Sequence, residues 1–308
     1  MAYAYSEHPR NWNEIEPYVN QGNLTQELFR RKTCYFYDTC SFRYHANMRW
    51  EVSDKIFEFI RQHDGMVVIL RSILMELSSM EKTLNTEYVQ YFQRMRNYGL
   101  PAYVIYEEEL FDVMCCCYST NVKVNSLLMW AVRTMKGPVS TITETLEREE
   151  KLASILLKGR NLEDRNIFKD FFSAVRKNKE AMDNLGEELL GICLHILSQL
   201  PGEEDGKFCV LIDDKGAAGK IDRLFKNTPS YYRGKRIIMY STPKLAQYLY
   251  KEGYLENRET LLKFLETGGE GNVRVLGTQV YDLVSTEISL KREELADQIL
   301  ENKIHITF

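Results

Sequence analysis

Cys34-Tyr35-Phe36-Tyr37-Asp38-Thr39-Cys40-Ser41 is the stretch on which the reading of the chain turns. A short apolar and aromatic run that passes straight into Asp-Thr has the pattern of a buried strand ending in a turn. Asp38 then stands at the strand's carboxyl end. In open α/β sheets ligands bind in the crevice beyond that edge.

Working outward, Val52, Ile56, Phe59 and Ile60 fall on one face of a helix over Val52 to Gln62. Asp64-Gly65 signals a turn, and Met66-Val67-Val68-Ile69-Leu70 reads as a second buried strand. Strand, helix and strand within about 35 residues make a βαβ unit, which requires a parallel sheet. Ala102 to Tyr106, Phe208 to Ile212 and Arg236 to Tyr240 supply three more strands, and Val273 to Leu276 a last one. Helices are expected over Glu87 to Asn97, Glu107 to Cys117, Leu185 to Leu200, Ala217 to Phe225, Glu259 to Glu266 and Lys291 to Leu300. Ser241-Thr242-Pro243 opens another as N-cap and first-turn proline. Stops are read at Gly99-Leu100-Pro101, at Pro201-Gly202 and at the Gly-rich turn Gly268-Gly269-Glu270-Gly271. Asn125 to Lys179 carries no strand signal and reads as helical throughout, with one break at Gly137-Pro138.

The expected fold class is α/β: a three-layer sandwich around a central parallel sheet of about five strands, with a large helical insertion. The parts are an N-terminal lead-in over 1–32, an α/β domain over 33–120 and 183–285, the insertion over 121–182, and a C-terminal helix and tail over 286–308.

At 308 residues the chain suffices for one large or two ordinary domains. With 44% apolar and 27% charged residues it has the balance of a globular protein with a sizeable core. A net charge of -4 argues against coating nucleic acid by bulk positive charge, while leaving room for a local basic groove. No apolar run is long enough to span a membrane, so no membrane partner is expected. Met1 to Arg10 lacks the apolar centre of a signal peptide. The seven cysteines include the adjacent Cys115-Cys116-Cys117 and form no C-x-x-C pair, which fits free thiols in a reducing cytoplasm. Those three are expected as small core residues.

Asp38 and the pair Asp213-Asp214 each follow a central strand directly. If those strands are neighbours, their ends lie roughly 5–10 Å apart. Glu76, early in the helix after the second strand, leans over the same edge, and Glu187 and Glu188 open the helix before the fourth. Like charges gathered this closely repel unless a cation sits between them. Hard oxygen ligands suit Mg²⁺ or Mn²⁺. The competing reading is that an aspartate after a strand caps a helix; one of Asp213-Asp214 is expected to do so, leaving the other as ligand.

The order of these elements resembles a PIN domain, a metal-dependent nuclease fold with a five-stranded parallel sheet. The resemblance rests on Tyr37-Asp38-Thr39, on Ile73-Leu74-Met75-Glu76-Leu77 and on Leu211-Ile212-Asp213-Asp214-Lys215-Gly216-Ala217. Gly186-Glu187-Glu188 with Ile192 and Leu194 is similar to the family's third acidic helix start. Pro243-Lys244-Leu245-Ala246 and Lys251-Glu252-Gly253-Tyr254-Leu255 resemble one PIN-like subgroup. The likeness covers roughly residues 33–118 and 183–280; the helical block between them departs from it and leaves Glu187 and Glu188 as alternatives.

The resemblance implies Mg²⁺- or Mn²⁺-dependent hydrolysis of nucleic acid, RNA before DNA. Asp38 and one of Asp213 or Asp214 would ligate the metal. Glu76 and Glu188 would hold metal-bound waters or a second ion, and Thr39 or Ser41 would orient a carboxylate or a water. The alternatives are a non-catalytic PIN-like nucleic-acid-binding or scaffolding protein, or the toxin of a toxin–antitoxin pair, which the length disfavours. The basic run Arg160, Arg165, Lys169, Arg176, Lys177 and Lys179 is the candidate phosphate-contact surface. Its competing reading is a solvated face paired with Glu163, Asp164 and Asp170. The insertion also offers a surface for a protein partner, and a homodimer is compatible with the chain. His45 is a candidate for substrate contact; His195, Tyr35 and Tyr37 read as core. Gly216 to Ile221 fails as a phosphate loop, because Asp214 takes the leading glycine position and Ile221 replaces the hydroxyl residue.

Overall fold

The structure, a computed structural model, describes residues 8–78, 81–137, 140–179, 183–201, 205–266, 271–280, 282 and 284–308. The breaks read at Pro138 and Gly202, and most of the turn at 268–271, lie outside them.

Five strands form the central sheet: β1 (Thr33–Tyr37), β2 (Gly65–Leu70), β3 (Ala102–Ile105), β4 (Phe208–Leu211) and β5 (Ile238–Tyr240). All pair in parallel, in the order β3-β2-β1-β4-β5. The protein is therefore an α/β sandwich of the expected class. β1 is central and buried from Cys34 onward, as its unbroken apolar sequence requires. Tyr37 pairs with Leu211, and the Asp38 N–H donates to the Leu211 carbonyl at 3.0 Å. This register brings the acids after β1 and β4 to one edge.

Helices cover both faces. Trp50–Gln62 packs against β2 and against Thr242–Lys251. On the other side Leu185–Leu197, almost wholly buried, packs against Lys215–Asn227 and Asn121–Met135. The lead-in seals the outer edge of β3: Asn20 bonds the Ala102 carbonyl through its N–H, and its Oδ1 accepts the Val104 N–H at 2.8 Å.

Three differences from the sequence reading matter. The helical block is not one run with one break but four helices: Asn121–Met135, Thr141–Arg148, Glu150–Lys158 and Ile167–Lys177. Gly159, at φ +70°, ends the third in a conformation that suits glycine. Secondly, the C-terminal region holds a separate antiparallel sheet, β7-β6-β8, formed by β6 (Asn272–Gln279), β7 (Thr286–Lys291) and β8 (Ile304–Ile306). The buried Gln247 amide knits it to the main body, donating to the Ile304 carbonyl at 2.8 Å and accepting the Ile306 N–H at 2.9 Å. Thirdly, Cys115 and Cys116 are exposed rather than core; all seven cysteines are free thiols. Among the described residues no helix is long and apolar enough to cross a membrane.

Candidate functional site at the carboxyl edge of the sheet

Asp38 is buried and caps the helix Thr39–Asn47, its Oδ1 accepting the Ser41 N–H at 2.7 Å. Burial pushes its pKa up to about 7; the Ser41 N–H opposes this, and the charges of Asp213 and Glu187 add to it. The capping role and closeness to the other acids therefore coexist in one residue.

One member of the Asp213-Asp214 pair caps a helix, as expected. Asp214 caps Lys215–Asn227, accepting the Ala217 N–H at 2.9 Å. Asp213 is held by three donors: Thr242 N–H to Oδ1 at 2.6 Å, and Thr242 Oγ1 and Ser41 Oγ to Oδ2, each at 2.7 Å. Thr39 serves Glu76 in the same way at 2.5 Å, so both small hydroxyls after β1 orient a carboxylate.

Glu76 is engaged on both oxygens. Besides Thr39, it accepts the Gly186 N–H at 3.2 Å and lies 2.9 Å from Lys179 Nζ. Burial disfavours the charge on Lys179, but Glu76 and Asp183 outweigh it and hold its pKa above the ordinary lysine value.

Glu187 and Glu188, the two alternatives, differ in their surroundings. Burial raises the Glu187 pKa, the charge of Asp214 adds to this, Lys220 at 3.8 Å opposes it, and Glu76 raises it further. Glu188, one residue on and so about 100° around the helix, turns inward. It is 4% exposed, and its Oε2 has no hydrogen-bond partner among the described residues. Burial lifts it to about 7, and the charges it feels are Lys220, Asp183 and Glu187 rather than Asp38.

Asp38, Glu187, Asp213 and Asp214 thus share one edge, with Glu76 beside them. Their carboxylate chemistry fits a hard divalent cation. Their present orientations do not close around a point: among the described residues no three His, Cys, Asp or Glu side chains form a ready metal-binding group.

A cavity of about 250 Å³ opens beside Asp213. Lys215, Arg274 and Arg292 line it together with Tyr44, Ser241 and Thr242, so cationic and hydroxyl groups share it with Asp213.

The basic run is only partly a surface. Arg160, Lys169 and Lys177 are exposed, as is Arg165, which lies 3.1 Å from Asp112. Arg176 must be withdrawn from it. It is 4% exposed and pairs with the buried Glu107 at 2.8 Å and with Glu108 at 2.6 Å, tying the helical block to the end of β3. His45 is likewise enclosed, at 1% exposure, and makes no surface for substrate.

Sequence reasoning missed Lys220 and Thr242 at this edge, and it placed Lys179 on a phosphate-contact surface rather than beside Glu76. Lys179 had one local signal, its i,i+4 spacing to Asp183. Thr242 was legible as part of a cap, not as the partner of an acid 29 residues away. Compared with protein-family models, curated proteins and solved structures, the chain has no match.

Proposed function

We propose that this protein is a PIN-like, Mg²⁺- or Mn²⁺-dependent nuclease that hydrolyses phosphodiester bonds, those of RNA foremost. One observation carries the reading: four carboxylates from three chain segments crowd the carboxyl edge of a parallel sheet, and burial, with neighbouring negative charges adding to it, raises Asp38 to about 7 and Glu187 above its ordinary value. A divalent cation relieves that repulsion.

Asp38, Glu187 and Asp214 would hold the ion, with Asp213 fixed behind them by Ser41 and Thr242. The cation would supply an activated water and charge neutralisation at the phosphorus. Lys215, Arg274 and Arg292 would hold substrate phosphates in the neighbouring cavity. The test is a cleavage assay on single-stranded RNA and DNA with Mg²⁺ or Mn²⁺, with D38N as control. Cleavage that survives D38N, or none with any cation and either substrate, removes the proposal.

A second reading, a non-catalytic PIN-like binding or scaffolding protein, draws support from Lys179. Its ammonium already neutralises Glu76, as a cation would. Mn²⁺ titration separates the two: the nuclease reading requires saturable binding lost in D38N, and the scaffold reading requires none.

A further inference from the structure

Behind Asp213 a chain of hydrogen bonds runs into the core. Thr242 Oγ1 lies 3.1 Å from His45 Nε2, His45 Nδ1 lies 3.1 Å from Tyr37 Oη, and Tyr37 Oη lies 2.8 Å from Tyr91 Oη. His45, Tyr37 and Tyr91 are buried, at 1%, 0% and 0% exposure. Four elements contribute: β1, Thr39–Asn47, Thr86–Asn97 and Thr242–Lys251.

The direction of this chain follows from what each group can donate. A carboxylate only accepts, so the Thr242 hydroxyl spends its one proton on Asp213 Oδ2. Thr242 Oγ1 must then accept from His45, which places the imidazole proton on Nε2. Nδ1 is left as an acceptor and takes the proton of Tyr37, whose oxygen in turn accepts from Tyr91. Every donor points toward Asp213. The reverse order would set the Thr242 lone pairs against the carboxylate at 2.7 Å.

We propose that His45 is a positioning residue for the acidic edge: as the neutral Nε2–H tautomer it fixes the Thr242 hydroxyl as an obligatory donor to Asp213, so that this carboxylate keeps one orientation. Burial supports this by lowering the His45 pKa to about 4, with the charge of Asp213 opposing, so the ring stays neutral through the physiological range. Tyr37 and Tyr91 support the tautomer from behind. The direction of the chain stands without the nuclease reading; its consequence for cation binding rests on that reading.

The test uses the full chain labelled with ¹⁵N at histidine. The His45 Nδ1 resonance is expected at the unprotonated position and Nε2 at the protonated one, with no charging down to about pH 5. Y37F deletes the donor to Nδ1 and the acceptor of the Tyr91 hydroxyl, and the Nε2–H tautomer is expected to persist in it, because Asp213 still takes the Thr242 proton. A ring protonated on Nδ1 in the parent protein or in Y37F overturns the proposal. Mn²⁺ titration then reads the consequence. H45F should weaken binding about three- to tenfold, the worth of one hydrogen bond, and H45Q, whose amide can still donate, should restore most of it. Equal Mn²⁺ affinity in the parent, H45F and H45Q overturns the positioning role even where the tautomer is as expected. Absence of Mn²⁺ binding in the parent protein overturns the nuclease reading instead, and the ¹⁵N result still decides the chain's direction.

Discussion

Lys179 Nζ lies 2.9 Å from Glu76 Oε1 and also bonds Asp183, so a side chain from the end of the helical block reaches the edge of the sheet 103 residues earlier. Both Lys179 and Glu76 are mostly shielded, at 19% and 18% side-chain exposure, so the contact is less screened than a surface pair. K179M removes the cation and leaves Glu76 with its Thr39 and Gly186 donors. The loss is expected to lower stability by about 1–3 kcal/mol, seen as an earlier denaturation midpoint. Mn²⁺ affinity, read by calorimetric titration, is expected to rise, because the edge gains a negative charge. Unchanged affinity would place Glu76 outside any cation site and favour the scaffold reading.

Asp38 makes stability depend on pH in an unusual sense. Its folded pKa, about 7, lies above the ordinary 3.8. Between those values the folded chain holds a proton that the unfolded chain has released, so stability falls as pH rises from about 4 to 7 and levels off above. D38N keeps an oxygen for the Ser41 N–H and cannot charge. It should therefore exceed the parent protein in stability by on the order of 2 kcal/mol at pH 7.5 without metal. The gap should shrink to about a quarter of that near pH 4.5 and close below pH 3.8. Urea denaturation at the two pH values measures it, and a gap that widens in acid would contradict the burial of Asp38. Glu188, also near 7, adds a slope of the same sign that D38N leaves in place.

Gly186 stands where the Leu185–Leu197 helix meets Glu76. A Cβ added there would lie 2.5 Å from Glu76 Oε1, far too close for two unbonded atoms. The yielding group is the end of a flexible side chain, so G186A is expected to fold, at a cost of about 1 kcal/mol. What should change is local: the Glu76 carboxylate swings off Lys179 and the Gly186 N–H. A ¹³C-carboxyl spectrum of Glu76, or loss of the K179M effect in the G186A background, reports it. Full additivity of the two substitutions would show that the Glu76–Lys179 pair does not bind the elements together.

The fold was legible because its signals are local. Cys34 to Tyr37 and Met66 to Leu70 are unbroken apolar runs, and parallel strands buried on both faces are written that way. Asp38 and Asp213-Asp214 were legible because residues just past such runs must emerge at one edge. β6 and β7 were harder: half exposed, they pair only with each other and with β8 and carry little apolar signal. Glu187 could not be told from Glu188, since the difference lies in how the helix is rotated, and that is set by packing against Asn121–Met135 and Lys215–Asn227. The His45 chain joins residues 8, 54 and 197 positions apart, a distance at which sequence spacing says nothing.

Arg176 separates a structural cation from a surface one. The buried stripe of Ile167–Lys177 includes Arg176 beside Val175, and its guanidinium meets Glu107 and Glu108, which precede it by 69 and 68 residues. Removing it takes the hydrogen-bonded cation from a fully buried Glu107, whose Oε1 accepts the Ser72 N–H at 2.9 Å and whose charge then faces Arg71 alone. R176M is therefore expected to cost about 3–5 kcal/mol. Its RNA affinity, measured below the new denaturation midpoint, should not change. The triple variant R160A/K169A/K177A should do the reverse. Those side chains are exposed, so stability should stay within about 0.5 kcal/mol. If the helical block binds phosphates, the salt dependence of RNA binding should become shallower by roughly one counterion for each phosphate-binding cation removed. A triple variant with an unaltered salt slope would assign phosphate binding to the cavity cations Lys215, Arg274 and Arg292 instead.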